Sequence, residues 1–247
     1  AFVLREAAPA VAAKPALLAG RVNFEVMGAN EWRHAASIDA MATRTLKFYL
    51  NAAAGDEHRL TLKKPQRPAL VRQTVNLADR SDASWMPSTD LISKSLVTHN
   101  DTMFVSEPMA KTTEFNGSFS LRLDFTANKM DVDLNVILYE RRADGDYIRL
   151  FSPTNEVRAS YARDRVHRHL MRAGERQELI IRGERMTSRQ LQPGSRLVLV
   201  LGVNKRPDRE INYGTGNDVS EESIADARPP LKIRWYNDSY LEIPVRR

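Results

Sequence analysis

The sequence predicts an all-β fold, a β-sandwich or jelly roll, and three observations lead there. Apolar residues recur with period two along short segments. Clusters of Gly, Pro, Asn and Asp separate those segments. Helical periodicity is weak, and strands do not alternate with helices, so the parallel sheet of a doubly wound or hydrolase-type fold cannot be built from this chain. The 247 residues suit one large sandwich without requiring a second domain.

The elements follow in order. Val22, Phe24 and Val26 alternate up to a turn at Met27–Gly28–Ala29–Asn30. Ser37 to Thr45 is the best helical stretch, with Ser37 as a candidate cap. Leu46, Phe48 and Leu50 form the next strand, and Leu60 with Leu62 a shorter one. A long loop rich in Ser, Asp and Pro runs from Asp79 to Asp90. The clearest strand holds Phe119, Leu121, Leu123 and Phe125, with Arg122 and Asp124 facing the other way. Val132, Leu134, Val136 and Leu138 follow, then Ile148 and Leu150 across the turn Ala143–Asp144–Gly145–Asp146. The later strands are Leu179–Ile181, Leu197–Leu199–Leu201–Val203, Leu231–Ile233–Trp235 and Leu241–Ile243–Val245. About ten short strands in such an arrangement are what a sandwich or jelly roll requires.

Composition narrows the function classes. Lys and Arg number 37 against 31 Asp and Glu, a net charge of +6, and the pI is about 9.6. Acids are interspersed with the bases, unlike the basic stripe of a nucleic-acid binder. Apolar residues make up 42%, enough for a core, and no uncharged run approaches a membrane span. There is no cysteine, which excludes disulfides, thiolate nucleophiles, iron–sulfur clusters and Cys-type zinc sites. The expected compartment is the bacterial cytoplasm or periplasm, since lack of Cys suits both. Residues 1–20 hold eight alanines interrupted by Arg5, Glu6, Lys14 and two prolines. They lack the apolar core of a signal peptide and read as a connector. Because the chain begins without Met, a cut-out piece of a longer polypeptide is expected.

Catalytic motifs are missing. A nucleophile elbow needs Gly-x-Ser-x-Gly between strand and helix, and no serine has that surround. His167–Arg168–His169 would place two imidazoles on one strand face, as a cupin metal site begins, but the remaining ligands have no match. Asp131-x-Asp133 lacks the rest of a calcium loop and reads as aspartate accepting backbone N–H bonds at a strand entry. Tyr213–Gly214–Thr215–Gly216 lacks the Lys-Ser/Thr of a phosphate loop and reads as a tight turn. Nine arginines lie between Arg158 and Arg189, against Asp164, Glu175, Glu178 and Glu184. They read as a solvated face paired to neighbouring carboxylates. No metal and no cofactor are expected.

Several stretches go further. Val26–Met27–Gly28–Ala29–Asn30–Glu31–Trp32–Arg33 resembles the VMG-x-x-x-W entry strand of the carboxyl-terminal domain in the X-Pro dipeptidyl-peptidase, cocaine esterase and α-amino-acid ester hydrolase family. The run from Phe115 to Leu121 is similar to its Gly-containing strand, and Asp131–Val132–Asp133 to its D-x-D strand entry. Asp144–Gly145 matches its hairpin, Arg158–Ala159–Ser160–Tyr161 its R-x-x-Y segment, and Ile211 to Gly216 its Asn-x-x-x-Gly turn. Pro193–Gly194–Ser195–Arg196–Leu197 stands where the family writes Gly-His-Arg, with Ser195 in place of the usual His. The matches run in order from Val22 to Val245, and they look most like the glutaryl-cephalosporin acylase-like or CocE/NonD branch.

The resemblance implies a jelly-roll β-sandwich of the galactose-binding-domain-like type over residues 21–247. It implies a Ser-His-Asp triad in a preceding α/β-hydrolase domain, so no catalytic residue carries over to this chain. The implied partner is that upstream domain, with homo-oligomers left open and neither nucleic acid nor membrane expected. Trp85, Met86 and Pro87, apolar residues in a polar loop, are the candidates for the domain interface or substrate cleft. The alternative is an independent carbohydrate- or cell-surface-binding module, although Trp32, Trp85 and Trp235 form no aromatic row in sequence.

Overall fold

The computed structural model describes residues 21–55, 57–81, 90–97, 100–151, 155–206 and 208–246. Its strands, in chain order, are β1 (Val22–Val26), β2 (Glu31–Ala35), β3 (Arg44–Asn51), β4 (Glu57–Thr61), β5 (Leu70–Val75), β6 (Ile92–Ser93), β7 (Thr102–Ser106) and β8 (Thr113–Gly117). Then come β9 (Ser120–Ala127), β10 (Asp133–Arg141), β11 (Tyr147–Arg149), β12 (Asn155–Arg158), β13 (Arg176–Arg182), β14 (Thr187–Leu191), β15 (Arg196–Val203), β16 (Leu231–Tyr236) and β17 (Tyr240–Arg246). The fold is an all-β sandwich, as the sequence predicts.

One sheet is built around β9, which pairs with β13 on one side and with β16 and β17 on the other. β5 extends it beyond β16, β3 lies beyond β17, and β8 with β14 continues from the end of β17. The second sheet runs β4–β7–β15–β10, with β12 and the β11–β6 pair beside β10. The β3–β4 hairpin joins the two. All these pairings are antiparallel except β4 with β7.

Period-two alternation points one face of each sheet inward. Phe104, Leu134, Val136, Leu138, Leu197, Leu199 and Leu201 come from the second sheet. They meet Leu121, Leu123, Phe125, Leu179, Ile181, Ile233, Trp235, Leu241 and Ile243 from the first. Burial of such side chains, worth about 1.5–3 kcal/mol each against exposure, is the main force holding the layers together. Trp235 is 1% exposed; it packs on Phe125 and donates its indole N–H to Gln73 Oε1 at 2.8 Å.

Two predicted elements take another form. The helix expected from Ser37 to Thr45 is one 3₁₀ turn, Asp39–Met41, because Arg44 already begins β3. Ser37 does receive the Ala40 N–H, at 3.3 Å. The run from Phe115 to Leu121 is two strands, not one: β8 ends at Gly117 and β9 begins at Ser120. Gly117 has a φ of 130°, which bends the chain between them. β2, β5, β6, β12 and β14 lie outside the segments predicted as strands.

Candidate functional site

Sequence motifs converge at the end of the sandwich where β10 begins. Asp131, 2% exposed, accepts from the Val132 N–H at 2.8 Å and the Ser160 N–H at 3.2 Å. Its other oxygen receives the Ser160 hydroxyl at 2.8 Å and the Arg168 guanidinium at 3.0 Å. The strand-entry aspartate thus plays the predicted part and ties three segments together. Arg168 also donates to the carbonyls of Gly216 and Asn217, at 3.2 and 2.5 Å. A cavity of about 660 Å³ opens here, lined by Asp131, Asp133, Arg158, Arg168, Asn212 and Asp218 among others.

Within that cavity wall Asp133 is unusual. Its Oδ1 accepts one hydrogen bond, from Asn212 Nδ2 at 3.0 Å. Burial raises its pKa from 3.8 to about 6, against the opposing effect of Asn212 and the Arg158 and Arg168 charges.

The glycine turn at residues 213–216 curls its backbone amides around an anion, and the chain supplies that anion itself. Glu222 accepts from the N–H groups of Tyr213, Gly214 and Thr215 at 2.6, 3.2 and 2.7 Å, and from the Thr215 hydroxyl at 2.5 Å. A carboxylate therefore occupies the place a phosphate would take. Gly214 is required there: its φ is 75° and a Cβ would lie 2.7 Å from the Asp131 carbonyl oxygen.

The two histidines of the His167–Arg168–His169 run do not share a strand face. His167 and His169 lie between strands rather than on one, and their side chains are 75% and 50% exposed. Both lie beside Asp164, at 2.6 and 3.8 Å. The Val166 amide and the His167 ring hold the Asp164 carboxyl below the usual carboxylate range. No group of three His, Asp or Glu suited to a metal ion occurs among the described residues. His34 meets Asn23 at 2.7 Å, and His58 accepts the Ala53 N–H at 3.2 Å. In this segment it is Arg168, between the two histidines, that has the structural role, and nothing in the local sequence marks it out.

The arginine-rich stretch divides in two. Arg165, Arg172 and Arg176 each meet a carboxylate at the surface, as predicted for a solvated paired face, whereas Arg168 and Arg189 are largely buried and pair with the buried Asp131 and Glu140. Arg158, Arg165, Arg182, Arg185, Arg206 and Arg209 gather around a groove of about 520 Å³ beside the first cavity. Arg206 and Arg209 share Glu156 and Asp208 there.

An ionic cluster unsuspected from sequence lies in the sandwich interior. Glu140 on β10 is 1% exposed, paired with Arg189 of β14 and accepting the Ser195 hydroxyl at 2.7 Å. Ser195, which replaces the histidine of the resembling family, therefore supplies a donor to a buried carboxylate.

The second sheet is covered on its outer face as well. Val105, Tyr139 and Val198 form one cross-strand row, and Met103, Ile137 and Val200 the next. Five of these six are buried, with Met103, Leu96 and Tyr147 packed against them. At the edge of this sheet, in and beside β6, Leu91, Ile92 and Val97 are 54%, 51% and 60% exposed. The interface candidates Trp85, Met86 and Pro87 lie outside the described residues, just before Leu91 in the chain. Trp235 is in the core and Trp32 is 45% exposed on β2, so these two tryptophans share no sugar-binding face.

Comparison with known proteins decides the family. The model of the X-Pro dipeptidyl-peptidase C-terminal non-catalytic domain matches residues 18–207. The chain belongs to that family. Comparison with the curated proteins gave no match. An aminopeptidase from a marine sediment Thaumarchaeota archaeon has the same fold over 92% of this chain, with a TM-score of 0.75 and 15% identity. An α-amino acid ester hydrolase matches over 91% at 0.71 and 15%, and a CocE/NonD family hydrolase from Staphylococcus aureus over 91% at 0.61 and 16%. The domain spans only 40–41% of those three chains, and its family is by description a C-terminal non-catalytic domain.

Proposed function

We propose that this domain completes a serine hydrolase by packing against an α/β-hydrolase domain of the same polypeptide and walling its substrate cleft. Residues 1–20 are then the connector, and the triad belongs to the partner domain. The observation that carries the reading is the exposure of Leu91, Ile92 and Val97 in and beside β6 at the edge of the second sheet, a few residues after Trp85–Met86–Pro87 in the sequence. An apolar patch of this kind marks an interface. The cavity at Asp131 carries no such argument, because Asp131, Arg168 and Glu222 already satisfy one another or the backbone.

The test uses the full polypeptide that carries this domain. Trp85→Ala should weaken apparent substrate affinity roughly ten- to hundredfold while the melting temperature holds, the scale of one aromatic side chain at a cleft. Ile92→Asp should loosen the domain contact and speed proteolysis within residues 1–20. Unchanged kinetics with a much lower melting temperature would place Trp85 in the sandwich core and sink the cleft reading. The isolated domain should take up no fluorophosphonate serine probe; stoichiometric labelling of one serine would contradict a triad located elsewhere.

A further inference from the structure

We infer that the open face of the first sheet holds a binding site for a phosphate group, built by Arg72, Arg234 and Lys232. Arg72 of β5 and Arg234 of β16 stand directly opposite each other across the ladder, both exposed. Side chains so placed start about 5 Å apart. Lys232 lies two residues from Arg234 on the same face, a separation of about 7 Å along the strand. Thr74 is in register with Lys232, and Thr126 of β9 with Arg234. These residues, with Gln73, Asn128 and Gly174, line a depression of about 430 Å³ that contains no carboxylate.

The case rests on how this sheet treats its other charges. Lys47 and Glu242 face each other in register and pair at 2.9 Å. Asp124 and Glu178 are like charges in register, and there each carboxylate has its own arginine, Arg176 and Arg122. Directly opposed like charges destabilise a sheet unless something neutralises them. Arg72, Arg234 and Lys232 have no acidic partner among the described residues, and the nearby Asp124 and Asp238 are held by Arg176, with Lys64 also on Asp238. Among the described residues nothing supplies the missing counter-charge, so an anion from solution finds the opposed cations unneutralised. Two guanidinium forks and an ammonium suit a tetrahedral, doubly charged oxyanion, with the Thr74 and Thr126 hydroxyls as further donors.

Thermal melts and titration calorimetry of the 247-residue chain test the site, with sodium phosphate and linear polyphosphate as probes and sodium chloride at matched ionic strength as control. Phosphate should raise the wild-type melting temperature beyond the chloride control, since a ligand of the native state stabilises it by mass action. In low-salt buffer without phosphate, Arg234→Thr should melt about 1–3 °C above wild type, because the repulsion is gone. Arg234→Thr and Arg72→Thr should each lose roughly tenfold or more in phosphate affinity, while Arg182→Gln, an exposed arginine outside the depression, should keep it. Tighter binding of polyphosphate per phosphate group identifies a polymer as the source, and equal binding a free phosphate. If chloride reproduces the phosphate effect, or if Arg182→Gln loses as much as Arg234→Thr, the cations are ordinary surface charge and the inference fails.

Discussion

The two sheets of this domain use the same strand geometry and solve opposite problems. In β16 and β13 every second residue is exposed: Lys232 and Arg234 on one, Arg176, Glu178, Ile180 and Arg182 on the other. In β10 and β15 both faces are buried, and seven of nine and seven of eight residues are inaccessible. A sheet with one wet face reads as clean alternation, whereas a sheet covered on both sides reads as a continuous apolar run. Val198, Leu199, Val200 and Leu201 are such a run. The difference separates the part of the domain that faces water from the part that carries further layers and, by our proposal, a partner domain.

The largest effect should come from the buried ion pair that links Glu140 of the covered sheet to Arg189 of β14. Arg189→Met leaves Glu140 buried with the Ser195 hydroxyl as its remaining side-chain donor among the described residues, and an uncompensated buried charge costs about 3–5 kcal/mol. Urea midpoints measure it, and adding Glu140→Gln should recover most of the loss. Arg122→Gln, which breaks the exposed pair with Glu178 on the wet sheet, should cost less than about 1 kcal/mol. Equal losses at the two sites would break the contrast between the sheets.

Next in size are matched truncations. Ile137→Ala removes a 6% exposed side chain from the outer layer of the covered sheet and should cost about 2–4 kcal/mol. Ile180→Ala, on the wet face of β13 and 53% exposed, should stay within about 0.5 kcal/mol. If Ile137→Ala is as mild, the outer layer is not a packed one.

The smallest expected effect is a pH dependence at the entry to β10. Burial raises the Asp133 pKa to about 6, so the native state binds its proton more tightly than the unfolded chain does. The resulting stability is fully present below about pH 4 and is lost as pH rises through about 6, an effect of about 1–3 kcal/mol. Asp133→Asn keeps an acceptor for Asn212 and should remove this slope from the stability-against-pH curve, leaving the variant relatively more stable at pH 7. Parallel curves for the two proteins would mean that Asp133 is solvated after all.

The strands that build the core were legible in advance. Leu121, Leu123 and Phe125, or Leu241, Ile243 and Val245, alternate over a few residues, and that pattern is complete within one strand. β8 and β14 were harder to read, because their buried positions include Asn116, Thr187 and Ser188. Asn116 and Ser188 are tolerable inside because partners reach them from afar: Ser188 donates to Asn116 Oδ1 at 2.7 Å, and Asn116 Nδ2 reaches the Met41 carbonyl at 3.3 Å. At the candidate site the Asp131 role was legible, since a strand-entry aspartate accepts neighbouring N–H groups. Arg168 was not. The double burial of β10 and β15 was present in the sequence as unbroken apolar runs, and reading them only for alternation concealed it.

By itself, then, the sequence determined the all-β class, the positions of the core strands, the family resemblance and the lack of any thiol chemistry. All of these depend on residue identity or on neighbours within one strand. The tertiary structure decided that Glu222 fills the turn at 213–216, that Glu140 finds both Arg189 and Ser195, and that Arg72 faces Arg234. Arg72 and Arg234 lie 162 positions apart in the chain, so their meeting depends on strand order and register, and a register shift of one residue would turn each side chain to the opposite face.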